Sequence, residues 1–202
     1  MDAHDLIWVT ETARLELDGP SPAWLTPDWL KRAPLVVRRE STPDDRLPVG
    51  LRGIARNQRC KGYLRRAGVA RRVTPEMLAA GAGHRHTVPA LDALATLAPA
   101  LDALGLAWGP TGGVGFFLAC GLPVLRPDSD LDLLVRAPQP LSAAQAAALA
   151  ALQAETACRI DIQIDTGGGA FALAEWSRTA GRVLLKTSTG PVLSDDPWRT
   201  VP

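Results

Sequence analysis

Apolar and polar residues alternate most strictly at Ile160-Asp161-Ile162-Gln163-Ile164, which predicts a strand with isoleucines on one face and polar side chains on the other. Leu131-Asp132-Leu133-Leu134-Val135 predicts a second strand. Between them, Ser142 to Ala154 (SAAQAAALAALQA) predicts an Ala-rich helix capped by serine. Val183 to Lys186 predicts a further strand after the Gly167-Gly168-Gly169 turn, so this half alternates helix and strand around a small mixed sheet. Upstream, Leu91, Leu94, Leu97, Leu101 and Leu104 follow a helical spacing from Pro89 to Gly105, within which Pro99 should kink or divide the helix. Thr74-Pro75-Glu76 forms a helix start, with a cap, a first-turn proline and an acid facing the positive end of the dipole, and Gly81-Ala82-Gly83 forms its stop. Leu6 to Val9 and Leu35 to Arg39 predict short strands joined by an irregular segment rich in Pro and Trp.

Composition narrows the class. With 202 residues, 47% apolar and 21% charged, the chain is expected to be globular, with one domain or two small ones. Its longest apolar stretches fall short of the roughly 18 residues that span a bilayer, and Met1-Asp2-Ala3-His4-Asp5 is charged where a leader would be basic and then apolar. A cytoplasmic protein with no membrane partner is expected. Cys60, Cys120 and Cys158 are too far apart for a zinc motif and read as reduced, mostly buried thiols, and His84-Arg85-His86 reads as a solvated loop. Trp176 and Trp198 read as core residues.

Net charge is close to zero, but it is unevenly spread. Residues 1–87 carry 15 basic and 10 acidic side chains, and residues 88–202 carry 7 and 11. This asymmetry predicts a basic N-terminal domain over 1–87, suited to binding a substrate or a carrier protein, and a second domain over 88–202. Eleven basic residues lie between Val36 and Arg72, ten of them arginine, whose planar fork suits phosphate and carboxylate. The spacing of Arg52, Arg56, Arg59, Tyr63 and Arg66 predicts a helix with these groups along one face, a surface for anions or an acidic protein. Near-neutral total charge argues against nucleic acid.

The chemistry is concentrated in Trp108 to Val135, WGPTGGVGFFLACGLPVLRPDSDLDLLV. A glycine pair, Gly112-Gly113, opens an apolar helix whose free N–H groups and positive dipole end suit a phosphate. Ser129-Asp130 then leads into a strand, where Asp130 and Asp132 point to one face with Cα atoms about 6.6 Å apart. If the 160–164 strand is a neighbour, Asp161 becomes a third carboxylate. Three hard oxygen ligands favour Mg²⁺ or Mn²⁺, and such a cluster suits phosphoryl chemistry.

This combination resembles the nucleotidyltransferase superfamily, whose pattern is hG[GS], a helix, Dh[DE]h and a later acidic strand, although the gap from Gly113 to Asp130 is longer than usual there. A narrower resemblance covers nearly the whole chain. The segments HDLIWV, PLVVRR, PVGLRGIARNQR, VTPEML, PALDAL, LAWGPTGGVGFFLACG, SDLDLLV, IDIQID and DPW, in this order, are similar to the malonate decarboxylase holo-[acyl-carrier protein] synthases, or phosphoribosyl-dephospho-CoA transferases. That resemblance implies transfer of the phosphoribosyl-dephospho-CoA group from 2'-(5-triphosphoribosyl)-3'-dephospho-CoA to a serine of the apo acyl carrier subunit of malonate decarboxylase, with release of diphosphate. It implies Asp130 and Asp132 as the catalytic metal-binding pair, with Asp161 as third ligand or as base. Gly112, Gly113 and Ser129 are the expected substrate contacts, with Arg38, Arg52, Arg56 and Arg59 as anion contacts and Lys186 within reach of the leaving diphosphate. Two departures stand out: Gly113 replaces the usual serine, so backbone N–H groups must serve the triphosphate, and Phe117 replaces an acid.

The expected fold class is α+β, with a nucleotidyltransferase-like C-terminal domain and a smaller α+β N-terminal domain. Two other functions fit the same residues: an ATP-dependent nucleotidyltransferase with another acceptor, and a non-catalytic module that binds an acyl carrier or nucleic acid.

Overall fold

A computed structural model describes all residues except 44, 82–87, 155–157, 180–181 and 200–202. Residue 87, where charge places the domain boundary, and His84-Arg85-His86 therefore lie outside the described residues. The chain divides into two units, Met1–Thr74 with Phe116–Val124, and Pro75–Gly115 with Leu125–Pro202. The class is α+β, with two six-stranded sheets and six α-helices among the described residues.

The first unit contains β1 (Leu6–Val9), β2 (Leu15–Leu17), α1 (Pro27–Arg32), β3 (Leu35–Val37), β4 (Arg46–Arg52), β5 (Arg59–Arg65) and β6 (Val69–Val73). Its sheet is antiparallel, in the order β2-β5-β4-β3-β1-β6. Alternation along β4 sends Leu47, Val49 and Leu51 into a core with Ile7, Leu35, Val37 and Leu64. The predicted helix through Arg52, Arg56, Arg59, Tyr63 and Arg66 is absent, because the first four belong to the β4–β5 hairpin and Arg66 opens the short 3-10 turn that follows it. Pairing runs in unbroken register from Arg46↔Arg65 to Arg52↔Arg59. The 3.6-residue spacing of charges is real, but burial of the alternating apolar row of β4 decides the local structure. As a result Arg52, Arg56 and Arg59 gather at the hairpin tip, while Tyr63 lies back along β5 opposite Pro48.

The second unit contains α2 (Pro75–Ala79), α3 (Pro89–Ala103), β7 (Ala107–Pro110), the start of α4 (Gly112–Cys120), β8 (Leu131–Arg136), α5 (Ala143–Ala154), β9 (Ile160–Asp165), β10 (Ala170–Ala172), α6 (Leu173–Arg178), β11 (Val183–Thr187) and β12 (Gly190–Ser194). Its sheet runs β12-β11-β10-β9-β8-β7 and is antiparallel except between β8 and β9. Two parallel neighbours need a crossover, and α5 provides it. That helix starts at a reciprocal cap: Gln145 N donates to Ser142 Oγ while Ser142 N donates to Gln145 Oε1, both at 3.1 Å. Pro99 does not divide α3, which is continuous through it. Pro99 is exposed, so the Ala95 carbonyl that loses its partner lies on the outer, wetter side of the helix.

Leu131, Leu133 and Val135 of β8 and Ile160, Ile162 and Ile164 of β9 form the buried rows of this sheet. Phe171 packs edge-on against Trp198 at 5.4 Å between centroids, and Trp176 joins the cluster; Phe171 is buried, whereas both tryptophans are half-buried at the edge of the core rather than inside it. The three cysteines form no disulfide and are half-buried, more open than expected.

One glycine controls how α2 seats on the sheet. A Cβ at Gly109 would lie 1.9 Å from the Pro75 carbonyl oxygen and 2.7 Å from Glu76 N. These are backbone atoms that cannot rotate away. Gly109→Ala is therefore expected to destabilise this unit by about 3 kcal/mol, lowering the melting temperature by roughly 6–12 °C. A calorimetric scan matching the unmodified chain would show that α2 has room to move.

Candidate active site

The parallel register of β8 and β9 builds the site. It pairs Leu131 with Ile160 and Asp132 with Asp161, so the two aspartates are the first residues of their strands on the face opposite the apolar rows. Asp130 immediately precedes β8 and, by the two-residue period, joins them. The structure thus gathers Asp130, Asp132 and Asp161, each offering a carboxylate oxygen within 4.8 Å of the others, all three partly exposed. A donor set of hard, anionic oxygens open to solvent fits Mg²⁺ or Mn²⁺ and lacks the nitrogen or sulfur that zinc prefers.

Strand β7 delivers the glycine turn to this cluster. It pairs antiparallel with β8, and the pairing continues past its end, where Thr111 N donates to the Asp132 carbonyl at 2.8 Å. Gly112 follows with φ +57°, and a Cβ there would meet Asp132 Oδ2 at 1.8 Å. The turn is therefore left-handed and lies directly against the carboxylate, two reasons why only glycine fits. Gly113 comes next, within the first turn of α4, where N–H groups have no partner inside the helix.

Ser129 Oγ accepts from Arg126 N at 2.9 Å, so the hydroxyl shapes the turn before β8. Lys186 is exposed on β11 and aligned through Ala170 with Asp165. It thus stands about 13 Å along the strand direction from the level of Asp161, and the structure does not bring it to the carboxylates. Arg38, Arg52, Arg56 and Arg59 belong to the first unit. There Arg38 pairs with Glu40 at 2.6 Å and Glu40 accepts from the Tyr63 hydroxyl at 2.7 Å. That hydrogen bond, with burial and the Glu40 charge, holds the Tyr63 pKa above its ordinary value. The Arg52 guanidinium lies 5.1 Å from the centroid of the Phe116 ring.

The chain matches two family descriptions, the phosphoribosyl-dephospho-CoA transferase MdcG N-terminal domain over residues 2–75 and the MdcG C-terminal domain over 77–197. The chain belongs to the MdcG family. Proteins named phosphoribosyl-dephospho-CoA transferase are similar to it along nearly their whole length. One from Azotobacter vinelandii is 46% identical, over 98% of this chain and 94% of the relative. One from Pseudomonas putida strain W619 is 48% identical over 96% and 94%, and one from Klebsiella pneumoniae 42% over 96% and 95%. No solved structure matches the chain significantly. Membership makes this MdcG protein an enzyme of the transferase class. No helix among its described residues is long and apolar enough to cross a membrane.

Two arginines of the MdcG chain carry no motif of their own and were not among the expected site residues. Arg136 shares a face with Asp132 and bridges Asp165 at 2.6 Å and Glu76 of α2 at 2.9 Å. Burial opposes its charge, but hydrogen bonds and charges from Glu76 and Asp165 outweigh that and keep its pKa above the ordinary value. Arg159 pairs with Asp161 at 2.8 Å. Strand alternation carried two residues back from Asp161 puts Arg159 on the same face, and that is the signal by which the sequence marks it.

Proposed function

We propose that this chain transfers the phosphoribosyl-dephospho-CoA group from 2'-(5-triphosphoribosyl)-3'-dephospho-CoA to a serine of the apo acyl carrier subunit of malonate decarboxylase, releasing diphosphate, in a nucleotidyltransferase-like second unit. The observation that carries this reading is the convergence of Asp130, Asp132 and Asp161 beside the Gly112 turn. The names of the relatives supply the transferred group.

Asp130, Asp132 and Asp161 would hold Mg²⁺ or Mn²⁺, which when bound supplies a Lewis acid for the acceptor hydroxyl and for the charge on the leaving group. In the transfer, the serine Oγ forms a bond to the phosphorus attached to ribose, the bond from that phosphorus to the bridging oxygen of the diphosphate breaks, and the serine proton passes to solvent. Gly112 and Gly113 offer backbone N–H groups to the phosphate oxygens in place of a serine hydroxyl. In the first unit, Arg52 and Arg59 face each other across the hairpin. Arg56 joins them at the tip, and three guanidinium groups so placed suit an anionic group; Arg38, level with Pro48 and paired with Glu40, stands four residues back along the sheet. The acidic surface of a carrier protein or the precursor itself meets this description.

Mass spectrometry of the apo carrier after incubation with the chain, Mg²⁺ and the triphosphate precursor tests the reading. The expected result is one added phosphoribosyl-dephospho-CoA per carrier, lost when the acceptor serine is replaced by alanine. An unmodified carrier, with diphosphate released instead from ATP and another hydroxyl acceptor, would overturn it.

A further inference from the structure

The side chain of Arg159 bears on the cluster directly. Its carbonyl accepts from Leu131 N at 2.9 Å, which ties its backbone to the first residue of β8. Extending the register by one residue sets Arg159 opposite Asp130. The two-residue period then puts its side chain on the face of Asp161, and the guanidinium Nη2 donates to Asp161 Oδ2 at 2.8 Å, with the Arg159 side chain 74% exposed.

A guanidinium bonded to a carboxylate oxygen and a divalent cation drawn to that carboxylate compete for the same lone pairs, and the two positive charges repel. An arginine so exposed loses little by changing partner, and its fork suits a phosphate at least as well as a carboxylate. We propose that Arg159 exchanges partners: it holds Asp161 until a divalent cation claims that carboxylate, and then turns to the phosphate oxygens of the leaving diphosphate. The inference rests on the metal-assisted transfer proposed above. It makes Arg159 oppose binding of the cation alone and favour binding of cation and diphosphate together.

Electron paramagnetic resonance titration of the full chain with Mn²⁺, followed by inorganic diphosphate at saturating Mn²⁺, tests it without reference to turnover. Arg159→Gln is expected to bind Mn²⁺ alone about fivefold more tightly and to bind diphosphate about tenfold more weakly once Mn²⁺ is present. Arg159→Lys, which keeps the charge and loses the fork, should fall between. Affinities that both stay unchanged, or that shift in the same direction, would overturn the exchange. So would tighter Mn²⁺ binding with diphosphate affinity unchanged. If Mn²⁺ binding to the unmodified chain does not respond to a joint Asp130→Asn and Asp132→Asn replacement, the metal reading falls and takes this inference with it. A response to that replacement with no effect of Arg159→Gln removes the inference alone.

Discussion

Asp132→Asn is expected to lower the transfer rate by about a thousandfold or more and to leave the fold in place. Asparagine has the same shape, so the packing of Gly112 against this side chain and the Thr111 hydrogen bond to its carbonyl are retained. What disappears is the central negative charge of the cluster, in register with Asp161 and within 4.8 Å of both other carboxylates. The variant should still fold and melt in one cooperative transition. Loss of activity with the fold retained distinguishes a ligand or catalytic group from a structural one. The carrier mass after incubation and a thermal melt give both readings. Full carrier modification by Asp132→Asn would remove the carboxylates from the reaction.

Gly112→Ala is expected to cost about a hundredfold or more in transfer, for a reason separable from backbone strain. An L-residue at φ +57° carries a penalty of about 1–2 kcal/mol. The added methyl would also sit 1.8 Å from Asp132 Oδ2 and must push that carboxylate out of place. Gly105 supplies the control, with φ +65° and nothing within 4 Å of where a Cβ would stand. Gly105→Ala should carry the backbone penalty alone and keep its activity. If both variants lose activity equally, or neither does, the close approach of Gly112 to Asp132 has no catalytic consequence.

Much of the second unit was legible because its signals are local. Alternation marked β8 and β9 to within one residue, the Ser142 cap and Ala-rich run marked α5, and the glycine pair marked the start of α4. A two-residue period on one strand is enough to put Asp130 and Asp132 on a common face. Less of the first unit was legible. The arginine spacing fits one face of a helix, yet the same stretch contains Leu47, Val49 and Leu51 at period two, and their burial against Ile7 and Leu35 is worth more than any arrangement of solvated charges. The short strands β2, β7, β10 and β12 also carried no clear signal, since Gly and Pro interrupt β7 and β12 and β2 and β10 are only three residues long, without the β-branched residues that marked β1, β3 and β11.

By itself, the sequence determined which residue types stand on one side of each strand, where helices start, and which carboxylates can face solvent, because those properties depend on side chains a few positions apart. Tertiary structure alone decided that β8 and β9 lie parallel with Asp132 beside Asp161, that Gly112 is pressed against the carboxylate, that Arg159 pairs with Asp161, and that Lys186 is remote. Register and neighbour choice are set by burying apolar rows from distant segments against each other, and no short window of sequence contains both partners.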